Sequence, residues 1–136
     1  MPRAIAIDFG LKRCGLAVTD ELRLIASGLD QISSTDLESY LGGYILKENV
    51  DTIVIGYPTN MDGSDTDITA NVRLLKDHLS AKYPTLAVVF QDERFTSSMA
   101  SKSMIEMGMK KKNRRQKGMV DEISAVLILQ AFLERV

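Results

Sequence analysis

Apolar residues dominate positions 4–9 (AIAIDF) and return at 16–18 after the segment GLKRCG, so two short strands joined by a tight glycine-containing turn are predicted. A third extended segment near residues 23–32 completes an antiparallel meander. The period then changes. Thr35 and Glu38 have capping-box spacing, and Leu37, Leu41, Tyr44 and Ile45 recur at helical intervals, with Gly42 and Gly43 weakening the middle of that helix. The β-branched run TIVI at 52–55 reads as a strand buried on both faces, and a strand following a helix implies a parallel crossover. Ile68, Val72, Leu75 and Leu79 mark an amphipathic helix that must end near Tyr83, because the residue before Pro84 avoids helical dihedrals. LAVVF at 86–90 predicts a further buried strand, which delivers Gln91, Asp92, Glu93 and Arg94 at its carboxyl end. Thr96 or Ser97 then caps a Met-rich helix reaching Met107, and residues 120–136 predict a long final helix with Ile123, Leu127 and Ile128 among its buried positions. The order βββαβαβαα describes an α/β fold: a mixed sheet of three antiparallel strands plus parallel strands, with helices on both faces. In such sheets functional residues gather at the carboxyl ends of the parallel strands.

At 136 residues the chain has the length of one domain, so residues 1–136 are expected to share one core. A content of 45% hydrophobic and 26% charged residues excludes a chain disordered throughout or a fibrous repeat. No apolar run approaches the ~20 residues that span a bilayer. The opening MPRAIAIDFG has neither a signal-peptide cleavage site nor the character of a presequence. One cysteine, Cys14, makes no intramolecular disulfide and no thiolate cage, which points to a reducing compartment. A cytoplasmic protein without membrane contact is expected.

The formal charge of −1 conceals an asymmetry. Residues 110–117, KKKNRRQK, carry Lys110, Lys111, Lys112, Arg114, Arg115 and Lys117 with no acid among them; subtracting these six cations from the overall −1 leaves −7 on the remainder. A basic block on an otherwise acidic chain suits a loop that contacts a polyanion, and a solvated charge run has the same composition.

Asp8 directly follows four core-like residues, and a charge inside an apolar strand is costly unless paired or metal-bound. Glu93 ends the fifth strand beside Asp92. Asp121 begins the last helix, where Ser124, Ala125 and Ile128 share its face, and small residues there let the helix approach the sheet. Convergence of Asp8, Glu93 and Asp121 would make a hard oxygen site suited to Mg²⁺ or Mn²⁺ and poorly suited to zinc. Two such ions roughly 4 Å apart activate a water and stabilise the leaving oxygen in phosphodiester hydrolysis. Plainer explanations exist for two of the three: Asp121 suits the first turn of a helix, and Glu93 can pair with Arg94 at a strand end. Gly10, Gly15, Lys12 and Arg13 form a glycine-punctuated basic turn whose amides could meet a phosphate, and an ordinary hairpin uses the same residues. The polar loop from Gly56 to Gly63 either lines a cleft or only connects. His78 stands apart from these acids and takes no catalytic part, and Cys14 packs as a small apolar residue.

Taken together and in order, Asp8-Phe9-Gly10 with Lys12-Arg13-Cys14-Gly15-Leu16-Ala17, Gly56-Tyr57-Pro58 with Asp62-Gly63, Asp92-Glu93-Arg94 with Thr96-Ser97, and Lys117 with Asp121 and Ser124-Ala125 resemble the YqgF family. That family is known as Holliday junction resolvases and as the pre-16S ribosomal RNA nuclease. The resemblance spans essentially the whole chain and implies an RNase H-like fold. It also implies that Asp8, Glu93 and Asp121 are metal-binding catalytic acids, and that Lys12, Arg13, Arg94 and Lys117 lie near nucleic acid. Where family members often carry a Glu after the Asp-Glu-Arg segment this chain has Met99, and its basic loop is denser than usual. A fourth carboxylate is common in RNase H-like sites, and the sequence offers Glu122 and Asp92 without deciding between them, so neither is assigned.

The expected activity is therefore a metal-dependent nuclease acting on structured RNA, in 5′-end maturation of pre-16S rRNA during ribosome biogenesis. Resolving a branched DNA junction instead needs two symmetric cuts and a dimer, and no dimer interface is evident in the sequence, so both monomer and homodimer stay open. Two other classes fit parts of the pattern. Actin-like ATPases share the Asp-x-Gly strand and turn but bind nucleotide between two related halves; an assembly factor would keep the basic loop without cleaving.

Overall fold

The computed structural model describes residues 2–93 and 117–134, with side chains of the second segment from Ile123 onward. Strands β1 (Arg3–Phe9), β2 (Arg13–Thr19) and β3 (Ala26–Ser33) form the antiparallel meander. A short 3-10 turn (Ser34–Asp36) leads into α1 (Leu37–Lys47), followed by β4 (Val50–Tyr57), α2 (Thr69–Lys82), β5 (Ala87–Asp92) and α3 (Lys117–Leu133). The sheet order is β3-β2-β1-β4-β5, with β4 parallel to both β1 and β5. The predicted mixed five-stranded sheet is thus formed, and its crossovers bring the carboxyl ends of β1, β4 and β5 to one edge.

The two faces differ in side-chain size. Ile5, Ile7, Leu16, Ile53 and Ile55 pack with Leu37, Leu41, Val72 and Leu79 of α1 and α2. Ala4, Ala6, Ala17 and Val54 on the opposite face pack with Ala125, Ile128 and Leu129 of α3. Alternation along each strand produces this division, and alanines on the second face let α3 lie close to the sheet. Full burial of one branched aliphatic side chain contributes roughly 1.5–3 kcal/mol, so the fully buried Ile5, Ile7, Ile53, Val54 and Ile55 make β1 and β4 central to the stability of the fold.

Several expectations need correction. Thr35 and Glu38 form no capping box: the residue capping α1 is Asp36, which makes no side-chain cap bond, and Ser33 and Thr35 hydroxyls bond each other at 2.9 Å. Glu38 instead reaches His78 on α2, an exposed pair between the two helices. Long-range pairing outcompeted the local cap. β5 is an edge strand among the described residues, with Val88 buried and Ala87 exposed, so its apolar run does not report burial on both faces. The third strand starts at Ala26, because Arg23 has φ of 57° and ends any extended run there. Gly15 lies within β2, not in the turn. Gly56 and Tyr57 belong to β4 and not to the following loop. The helix predicted up to Met107 lies outside the described residues.

Candidate active site

Asp8 occupies the last turn-facing position of β1 on the face of Ala4 and Ala6, the face that α3 covers. Its ladder partner is Gly15. Directly opposed residues project to the same side of a sheet, so a glycine there leaves space beside the Asp8 carboxyl.

Glu93 reaches the same place from two strands away. Its amide donates to Tyr57 O at 3.3 Å, which keeps the chain tied to β4 beyond the end of β5 and places Glu93 in alternation with Val89 and Gln91. The Glu93 carboxyl then crosses β4 and shares a hydrogen bond with Asp8. Gly56 makes the crossing possible: a Cβ at that position would overlap Glu93 Oε2 and stand 2.5 Å from Ile128 Cδ1. Sequence reasoning placed Gly56 in a loop and missed this function.

Burial, the negative charge of Asp8 and that of Asp92, in that order, push the Glu93 carboxyl up to about 9. The pair therefore holds a proton at neutral pH. Asp92 itself is exposed at the end of β5 and acts on Glu93 through its charge.

Asp121 lies in α3, one helical turn before Ser124 and Ala125. Ser124, Ala125 and Ile128, which share its face by spacing, are all buried. The side chain of Asp121 is outside the described residues, as are those of Lys117 and Glu122. Arg94, Met99 and the cations Lys110, Lys111, Lys112, Arg114 and Arg115 also fall outside them. Among the described residues, no group of three or more His, Cys, Asp or Glu assembles.

The basic turn follows Asp8 and shares a cleft with it. Asp8, Lys12 and Arg13 line one cleft of about 380 Å³ together with Phe9, Leu11 and Ile68. Ser34 holds this turn from below: its amide donates to Lys12 O at 3.0 Å and its hydroxyl to Gly10 O at 2.5 Å. Cys14 is fully buried and meets the same hydroxyl at 3.5 Å, as expected for a packing residue. Ser34 and Ile68 carried no local signal of a role beside this turn, because each reaches it only through tertiary contacts.

The donors fit a hard divalent cation. Two adjoining carboxyls that retain a proton are electrostatically poised to exchange it for a metal ion, and oxygen ligands favour Mg²⁺ or Mn²⁺ over softer metals. The imidazole of His78 is engaged with Glu38 between α1 and α2, away from this pair.

A Holliday junction resolvase family, RuvX, matches residues 2–135. Among curated relatives, a protein of Bacteroides thetaiotaomicron named "Putative pre-16S rRNA nuclease" is 46% identical over 98% of this chain and 97% of its own length. One of the same name from Parabacteroides distasonis is 47% identical over 98% and 96%. Among solved structures, the fowlpox virus resolvase in complex with Holliday junction DNA superposes with a TM-score of 0.60 at 10% identity, covering 97% of each chain. T. thermophilus RuvC with its junction substrate gives 0.57 at 12% identity, over 97% of this chain and 94% of that one. These neighbours bear on the fold, which is RNase H-like. With the Asp-x-Gly strand, the Asp-Glu pair and the basic turn in one sheet edge, and a match over nearly every residue, the chain belongs to the RuvX (YqgF) family.

Proposed function

We propose that this protein is a metal-dependent nuclease that hydrolyses phosphodiester bonds in the 5′-end maturation of pre-16S rRNA, in the cytoplasm. The observation that carries this reading is the Asp8–Glu93 carboxyl pair beside the cleft lined by Lys12 and Arg13. The names of the relatives support the choice of RNA.

Asp8, Glu93 and Asp121 would hold Mg²⁺ or Mn²⁺. A cation bound there supplies an activated water and neutralises charge on the leaving oxygen. Glu93 must release its proton for the site to load, so burial of this residue couples loading to pH. Lys12 and Arg13 hold the backbone next to the acids, while Arg94, Lys117 and the cations Lys110, Lys111, Lys112, Arg114 and Arg115 extend the contact along the strand. Binding through these cations weakens as salt rises. The RuvX description and the junction-bound fold neighbours favour a second reading, resolution of branched DNA, which requires two copies of the site in a homodimer.

The test is cleavage of end-labelled precursor small-subunit rRNA and a four-way DNA junction, side by side, with Mg²⁺, Mn²⁺ or EDTA. Metal-dependent cutting of the RNA that Asp8→Asn abolishes, with salt-sensitive binding retained, is the expected result. Cutting of the junction alone would move the assignment to resolution. Salt-sensitive binding with neither substrate cut would identify a non-catalytic assembly factor.

A further inference from the structure

The turn between β2 and β3 lies at the end of the sheet opposite the acid pair, because β2 runs antiparallel to β1. Its sequence from Asp20 to Ile25 is DELRLI, and Leu22, Leu24 and Ile25 are 61%, 72% and 64% exposed. A plain connection ordinarily uses Gly, Asn, Asp or Ser. One exposed leucine needs no explanation, whereas three large apolar side chains within four positions form a patch.

The patch borders a groove. Leu24 and Ile25 line it together with Gln130, Leu133 and Glu134 at the carboxyl end of α3, around a volume of about 520 Å³. The turn holds its shape by itself: the Asp20 carboxylate accepts the amides of Leu24 and Ile25 at 2.8 Å and of Leu22 at 3.3 Å, and Asp20 N donates to Ile25 O at 3.2 Å. Arg23 ties it to Pro2 O, Asp51 and Thr52. A surface fixed in advance loses little conformational entropy when something binds to it.

Charge selects the occupant. Arg23, the cation lining the groove, is paired with Asp51, and Arg3 stands 3.6 Å from Glu21 and 3.8 Å from Glu48. Among the described residues, no cation pairs with Asp20 or Glu134. α3 ends beside the groove with no basic residue in its last turn, so the partial negative charge of its carboxyl end stays uncompensated there. The groove is therefore apolar inside and negative at its margin. A second copy joined through the same surface would bring two sets of these acids and two such helix ends together, which opposes self-association.

We propose that this groove docks a basic amphipathic segment of a partner protein. Apolar side chains of the segment pack on Leu22, Leu24 and Ile25, and its lysines or arginines face Asp20, Glu134 and the end of α3. The surface is independent of the nuclease reading, and a partner seated on it leaves the acid pair open.

The experiment follows binding of fluorescent peptides to the full chain by anisotropy. Three helical peptides share one leucine stripe and carry Lys and Arg, Glu, or Ser on the other face; a fourth keeps Lys and Arg but has Ser in place of leucine. Only the first should bind tightly. The double variant Leu24→Ser with Ile25→Ser should weaken it about tenfold or more, while Leu46→Ser, at a 91% exposed position of α1, should match wild type. Should the double variant fold poorly, Glu21→Lys with Glu134→Lys provides a second reading: it should weaken the basic peptide and strengthen the Glu peptide. Equal binding of the Lys/Arg and Glu peptides, tight binding of the leucine-free peptide, or no binding at all would overturn the proposal. So would a concentration-dependent dimer in sedimentation that the double variant dissolves, which would assign the surface to a second copy. Cleavage of RNA by the same variants should equal wild type, so failure of the nuclease reading would appear separately.

Discussion

The carboxyl groups of Asp8 and Glu93 meet across β4, a strand that contributes no side chain at the crossing because its residue there is Gly56. The acids come from strands that do not pair with each other, and the glycine between them sets their separation. This relationship decides what can be altered at the site and with what effect.

Gly56→Ala should disable the site more than it destabilises the fold. Its methyl would overlap the Glu93 carboxyl and press on Ile128, forcing either Glu93 away from Asp8 or α3 away from the sheet. Overpacking of this kind costs about 1–3 kcal/mol. Urea denaturation should show a loss in that range, while metal-dependent cleavage falls by orders of magnitude; unchanged cleavage would refute the role given to Gly56.

Stability of the metal-free protein should fall as pH rises through the neutral range. The Glu93 carboxyl is raised from an ordinary 4.5 to about 9 in the folded chain, so the folded state binds the extra proton between those values. Its contribution is fully present below about 4.5 and is lost progressively until pH reaches about 9. Thermal denaturation in EDTA at pH 5 to 9 should slope downward, and Glu93→Gln should remove that component of the slope.

Asp8→Asn should lower the Glu93 value, since it deletes one of the negative charges that raise it while leaving its burial intact. Carboxyl titration followed by NMR measures this shift directly. The same variant should lose most of the stabilisation that Mn²⁺ confers on the wild type, because a neutral amide is a poorer ligand than a carboxylate; equal stabilisation of both would place the cation elsewhere.

Arg23 should matter for folding and not for cleavage. It bonds Pro2 O, Asp51 and Thr52 at the start of β1 and β4, the end of the sheet opposite the acids. Arg23→Ala should cost about 1–3 kcal/mol by loss of these bonds. Arg23→Gly should cost less by roughly 1 kcal/mol, because φ of 57° strains any residue with a Cβ. Equal losses in urea titrations would show that the backbone strain is negligible.

Local periodicity was enough to read the order of strands and helices among the described residues, while the structure places Asp8 on one sheet face with Ala4 and Ala6, opposite Ile5 and Ile7. Periodicity is a local property, and each of these features is decided within one element. The spacing of Ser124, Ala125 and Ile128 likewise marked the buried face of α3. Tertiary contacts were needed to bring Glu93 to Asp8, to make Gly56 the gap between them, and to let Ser34, just beyond β3, pin the basic turn. They also decided that Glu38 serves His78 in place of a helix cap, and that β5 lies at an edge despite its apolar run. The physical reason is common to all of these. Each depends on strand order and register between segments distant in the chain, where side-chain size and hydrogen-bond reach select the partner and no local pattern records the choice.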